Sequence, residues 1–139
     1  MKLIKNHDVQ SVNIQTTTEK AFKFIADPKN LAKWTEAFSY ADENSALMIT
    51  PNGELKIGLK TFANPELGTI DWEMTMPDGS KGSAYSRVVS DPDGKAIYSF
   101  VLLAPPVSLE QLEGALASQI NTLSTELRKL AVILESNAI

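Results

Sequence analysis

Residues 109–134 read LEQLEGALASQINTLSTELRKLAVIL, and this stretch decides the fold. Leu109, Leu112, Leu116, Ile120, Leu123, Leu127, Leu130 and Leu134 recur in steps of three or four residues. That spacing places them on one stripe of a helix of about seven turns. Ala115 and Ala131 stand at the margins of the stripe; Glu110, Asn121, Thr125, Arg128 and Lys129 stand opposite. Such a helix covers an apolar surface and turns its back to water. Val132 and Ile133 fall off the stripe, as a buried C-terminal end or a homodimer contact would require.

What the helix covers is written upstream. Val12 and Ile14 alternate with polar neighbours and read as a first strand. Thr16 with Glu19 forms a capping box for a short helix carrying Ala21, Phe22 and Ile25, with Thr17 as the alternative cap. Asp27-Pro28 stops that helix and starts a second, which carries Leu31 and Trp34. Six strands follow, at Phe38–Asp42, Ala46–Thr50, Glu54–Phe62, Leu67–Met76, Gly82–Ser90 and Lys95–Leu103. Asn52-Gly53, Asp78-Gly79 and Asp93-Gly94 supply the positive φ of tight turns, so the strands form an antiparallel meander. After Pro105-Pro106, Ser108 with Gln111 forms a second capping box, and Val107 against Leu112 a hydrophobic staple.

The strands alternate. Leu55, Ile57 and Leu59 oppose Glu54, Lys56 and Lys60; Ile70, Trp72, Met74 and Met76 oppose Asp71, Glu73 and Thr75. One face of the sheet is therefore apolar and one is solvated. The apolar face is wider than a helix, which is about 10 Å across. A sheet curved around the helix reconciles the two. The expected architecture is α+β, one domain over residues 1–139.

Composition bounds the function. The chain has 139 residues, no cysteine, one histidine and a formal net charge of -4. Thiol catalysis and disulfides are excluded. Basic and acidic residues are interspersed, which argues against nucleic acid as a partner. No apolar run reaches the ~18 residues of a membrane span, and the polar start Met1-Lys2-Leu3-Ile4-Lys5 lacks a signal-peptide core. A cytoplasmic protein is expected.

The segment Val12-Asn13-Ile14 through Phe22, with Ala26-Asp27-Pro28-Lys29-Asn30-Leu31-Ala32-Lys33-Trp34, resembles the opening of the START-like, or SRPBCC, superfamily. The meander and long last helix fit the same pattern. The resemblance implies a helix-grip fold with a cavity between the curved sheet and the last helix. Relatives bind lipids, sterols, polyketides or plant hormones; others are cyclases or aromatases, and some bind chaperones. No catalytic motif unites them, so none is carried over.

The residues expected to line the cavity are Trp34, Phe38, Leu59, Trp72, Met74, Met76, Tyr85, Arg87, Tyr98, Phe100, Leu116 and Ile120. Adaptable methionines beside aromatics suit a flat or greasy ligand, although each of these residues could equally be core. Two registers are open for Tyr85–Val89. Inward, Arg87 needs an anionic ligand group as its partner; outward, it is an ordinary surface cation, and the outward or rim placement is preferred. His7 sits at the chain start without a partner for catalysis. Asp71 and Glu73 fit the solvent face better than a metal site, and Gly79-Ser80-Lys81-Gly82 precedes a strand, as a hairpin does and a P-loop does not.

No cofactor or metal is called for. The expected partner is a small hydrophobic molecule, without membrane insertion. The alternatives are a cyclase-, aromatase- or dehydratase-type enzyme using Tyr85, Arg87 or Tyr98, and a protein-interaction module. The sequence identifies no catalytic residue.

Overall fold

A computed structural model describes residues 6–104 and 109–136, the side chains of residues 109–115 excepted. Alternation carries the strands further than expected at the start of the chain. β1 spans His7–Thr17, followed by α1 (Thr18–Ala26), a 3-10 turn (Pro28–Asn30) and α2 (Leu31–Trp34). The meander is β2 (Phe38–Ala41), β3 (Ser45–Thr50), β4 (Gly53–Asn64), β5 (Thr69–Thr75), β6 (Lys81–Ser90) and β7 (Lys95–Leu103). α3 spans Leu109–Glu135.

The strands form one antiparallel sheet in the order β1-β7-β6-β5-β4-β3-β2. Only the β1–β7 pairing departs from chain order. It brings the first strand alongside the last and curls the sheet into a half-barrel. α3 lies along β1 and runs in the same direction. The Gln10 side chain donates to the Ile120 carbonyl at 3.0 Å, and Glu135 accepts from the Gln15 backbone N–H at 2.8 Å.

Local chemistry sets the boundaries. Thr17, not Thr16, caps α1, accepting from the Lys20 N–H at 3.2 Å. Ile14 and Thr16 share the buried side of β1, so the Thr16 side chain is committed inward and the chain turns one residue later. Asp27 caps the 3-10 turn through the Lys29 N–H at 3.0 Å, with Pro28 in its first turn. β5 starts at Thr69 instead of Leu67, because Pro65–Gly68 form a turn. Gly68 has φ +76, and a Cβ there would stand 2.2 Å from the Val88 carbonyl oxygen. Only glycine allows that close approach.

The stripe of α3 is buried at Leu116, Leu123, Leu127, Leu130 and Leu134, with Ala131 beside them. Ile133 packs partly against the core, whereas Val132 is 67% exposed. Asn121, Thr125, Arg128 and Lys129 are exposed, as the polar back requires. The second capping box, the Val107–Leu112 staple and the side chains of Leu109, Leu112 and Ala115 lie outside the described residues. Ile14, Ile25, Trp34, Leu59, Ile70, Tyr98 and Leu130 are the largest fully buried side chains. Full burial of an aliphatic side chain stabilises by roughly 1.5–3 kcal/mol.

Candidate functional site

The concave face of the sheet, under α3, is built from three neighbouring strands of different character. β5 contributes Ile70, Trp72 and Met74, and β7 contributes Ala96, Tyr98 and Phe100. Between them, β6 presents Gly82, Ala84, Ser86 and Val88. Bulky walls therefore flank a floor of small residues. Trp72 pairs with Ala84, and Phe100 with Ser86, so the two rings meet across β6. Their centroids are 6.3 Å apart at an interplanar angle of 29°. Tyr98 meets Phe100 edge-on at 6.4 Å, and Trp34 meets Tyr98 edge-on at 6.2 Å.

Polar atoms sit among these rings without partners. Trp34 Nε1, Thr61 Oγ1, Trp72 Nε1, Tyr98 OH and Gln119 Oε1 are buried with no partner within hydrogen-bond distance among the described residues, although the Ser86 hydroxyl lies close enough to act on Tyr98. Folded proteins pair nearly all such groups, with protein or with ordered water. Thr61 stands directly opposite Trp72 across the β4–β5 pairing. Ser86, by contrast, is satisfied: its hydroxyl donates to the Ile70 carbonyl at 2.6 Å.

Two titratable groups beside the cluster have raised pKa values. Burial pushes the Tyr98 pKa well above the ordinary tyrosine value; the neighbouring Ser86 hydroxyl opposes the rise and the Glu126 charge adds to it. The phenol is therefore a neutral donor. Burial likewise raises the pKa of Glu126 on α3, opposed by the Glu36 backbone N–H, which donates to it at 2.6 Å. The Glu36 carboxylate reinforces the rise, and Lys129 counters it.

Ten of the twelve expected lining residues are buried or half-buried. Trp34, Leu59, Trp72, Tyr98 and Leu116 are buried; Phe38, Met74, Met76, Phe100 and Ile120 are half-buried. Tyr85 and Arg87 take the outward register preferred from the sequence, which corrects their inclusion among the lining residues. Tyr85 is 45% exposed and Arg87 also lies on the outer face, where its Nε donates to the Leu67 carbonyl at 2.9 Å. Ser86 and Val88 take the buried parity of β6, and Tyr85 and Arg87 necessarily take the other. His7 is exposed, and Glu73 pairs with Lys81 at 3.2 Å on the outer face.

Sequence reasoning missed Thr61, Ser86, Gln119 and Glu126. Thr61 continues the Leu55, Ile57, Leu59 alternation, and Ser86 shares parity with Ala84 and Val88. Gln119 and Glu126 each lie three or four residues from stripe leucines. Position marked all four, but their polarity disguised them.

Grooves open on the outer surface among the described residues. One, of about 630 Å³, runs between α1 and the β4–β5 turn beside Phe22, Leu67 and Arg87. Another, of about 410 Å³, lies between the start of α1 and the end of α3 beside Lys20, Lys95 and Glu135. Neither touches the Trp72–Phe100 pair. Among the described residues no three His, Cys, Asp or Glu side chains gather as metal ligands, and no helix is long and apolar enough to cross a membrane.

No protein-family model matches the chain, and no curated protein matches it by sequence. Solved structures do match. The protein XoxI from Bacillus cereus superposes with a TM-score of 0.69 at 13% identity, over 94% of this chain and 96% of that one. A START superfamily protein from Mycobacterium smegmatis gives 0.68 at 10% identity, over 94% and 99%. The di-domain ARO/CYC BexL of the BE-7585A biosynthetic pathway gives 0.63 at 11% identity, over 94% of this chain and 45% of that protein. The seven-stranded curled sheet closed by a long last helix is the START-like helix-grip fold.

Proposed function

We propose that this protein binds a small hydrophobic molecule between the concave face of the sheet and α3. The observation that carries the reading is the set of unpaired buried polar atoms on an otherwise apolar aromatic surface, Trp72 Nε1 and Tyr98 OH above all. An apolar site with a few convergent polar groups is the usual build of a small-molecule pocket. The likeness in fold to a START superfamily protein and to an ARO/CYC protein supports the same reading.

Native mass spectrometry of the protein purified from its own cells, followed by denaturing extraction, tests it. A near-stoichiometric hydrophobic small molecule is expected. Gly82→Phe should abolish its retention while the fold survives, because Gly82 leaves the β6 floor open beside Met74. Retention undiminished in Gly82→Phe places the molecule elsewhere and defeats the reading.

A second reading is an enzyme of the cyclase, aromatase or dehydratase kind. The Tyr98 phenol favours it, since a buried protonated donor can polarise a substrate carbonyl. Tyr98→Phe should then remove turnover with the ligand still bound. Turnover unchanged in that variant rules out Tyr98 as the donor. Tyr85 and Arg87 face outward and have no part in either reading.

A further inference from the structure

The chain has four methionines and no cysteine. Three of the four, Met48, Met74 and Met76, lie at one end of the concave face. Met48 stands two residues after buried Ala46 on β3. Met74 stands two after buried Trp72 on β5, and Met76 continues that alternation just past the strand. β3 and β5 each pair antiparallel with β4 and so run the same way. All three methionines therefore sit toward the end of the sheet that carries the β3–β4 and β5–β6 turns. Leu55 stands opposite Met48, and Leu59 opposite Met74. On its other side Met74 faces Gly82, with its Cε 3.8 Å from where a β-carbon would stand.

These methionines are neither inside nor outside. Each is half-buried, so solvent reaches it, and each packs against the buried core. An exposed thioether is oxidised with little effect on a fold, and a fully buried one is shielded from the oxidant. A half-buried one on the core is both reachable and consequential.

The reaction is an oxygen transfer. The sulfur lone pair attacks a peroxide oxygen, an S–O bond forms, the O–O bond breaks, and the second oxygen leaves as water. Sulfur loses two electrons and the peroxide gains them. With no cysteine in the chain, no thiol of its own competes for the oxidant. The product turns a flexible apolar side chain into a polar one. The facing residues Leu55, Leu59 and Gly82 have no side-chain donor for a sulfoxide oxygen, so it disrupts the apolar contacts it replaces.

We infer that Met48, Met74 and Met76 form an oxidation-responsive site, at which a peroxide converts thioethers to sulfoxides in the folded protein and loosens the core at that end of the sheet. A methionine sulfoxide reductase restores the thioether with two electrons from a dithiol, the oxygen leaving as water, so the response is reversible. No ligand takes part, and the site stands whether or not the concave face binds one.

The full-length protein is treated with hydrogen peroxide under native conditions and the reaction is quenched. Oxygen uptake is mapped by peptide mass spectrometry, and the urea midpoint of unfolding is measured on the product. Uptake at the three positions should proceed within about tenfold of the rate at a free methionine peptide. The midpoint should fall, and reductase with dithiothreitol should return it. The triple variant Met48→Leu, Met74→Leu, Met76→Leu keeps similar volumes without the sulfur and should hold its midpoint through the same treatment. No uptake at these positions while the free peptide is oxidised overturns the site. Uptake without a fall, or an equal fall in the triple variant, overturns its link to the core. A fall that persists after the sulfoxides are reduced overturns reversibility. If the triple variant does not fold, Met74→Leu and Met76→Leu are treated singly. Each should then lose part of the wild-type fall, and a full fall in both overturns the link.

Discussion

The two faces of the sheet are made of the same strands and treat polar groups oppositely. On the convex face polar side chains find partners at hand: Lys81 reaches Glu73 at 3.2 Å, and Arg87 reaches the Leu67 carbonyl at 2.9 Å. Water satisfies what remains, so each such contact contributes little. On the concave side the indoles of Trp34 and Trp72, with the phenol of Tyr98, are buried with no partner within hydrogen-bond distance among the described residues. The difference teaches where information lies. A polar atom in solvent says little about function, whereas an unpaired one among rings calls for a partner, protein, water or ligand.

The contrast can be broken from the inside first. Leu130→Ala empties a fully buried position of α3. It should destabilise the protein by about 2–5 kcal/mol in chemical denaturation. A loss below 1 kcal/mol would mean that α3 is not the clamp on the concave face. Tyr98→Phe is the more telling change. It removes a buried hydroxyl that has only the Ser86 hydroxyl near it and no partner within hydrogen-bond distance among the described residues, so the unliganded protein should change in stability by under about 1 kcal/mol. A clear loss would place a hydrogen bond on that hydroxyl and weaken the case for a ligand donor.

Glu126 sharpens the same comparison through pH. Its folded-state pKa is raised, chiefly by burial, above the value in the unfolded chain. The native state therefore holds this proton more tightly than the unfolded state. Its ionisation costs stability at neutral pH, and that cost is relieved as pH falls through the raised pKa. Exposed Asp42 and Asp78 have lowered values, from backbone hydrogen bonds to Asp42 and from Ser80 to Asp78, and act in the opposite sense in more acidic solution. Glu126→Gln should flatten the stability profile in the range above the ordinary carboxylate value. An unchanged profile would show that the carboxyl is solvated in both states. The smallest effect belongs outside: Arg87→Ala should shift stability by under about 0.5 kcal/mol and leave ligand retention intact. Lost retention would return Arg87 to the site.

Much of the molecule was legible because two periods separate cleanly. Every strand after α2 was found within two residues at each end, since alternation and Gly-containing turns are local signals. The cap of α1 was left between Thr16, preferred, and Thr17, the one found, because the two are chemically alike. Only the alternation of β1, which puts Thr16 on the buried side with Ile14, separates them. The placement of Tyr85 and Arg87 was left open between two registers, outward preferred, for a related reason. β6 carries Gly82, Ala84, Ser86 and Val88 inward, and such small residues give no hydrophobic contrast against Tyr85, Arg87 and Val89.

The sequence alone determined the order of elements, the apolar stripe of α3 and the presence of one apolar sheet face. These follow from side-chain periodicity, which needs no knowledge of neighbours. The tertiary structure alone decided that Trp72 and Phe100 face each other, and that the Trp72, Thr61 and Tyr98 polar atoms are left without partners. Phe100 is twenty-eight residues from Trp72 and Tyr98 is sixty-four from Trp34, and only strand register and the packing of α2 bring such groups together. Hydrogen-bond satisfaction is a property of that assembled neighbourhood, so no local pattern could have announced it.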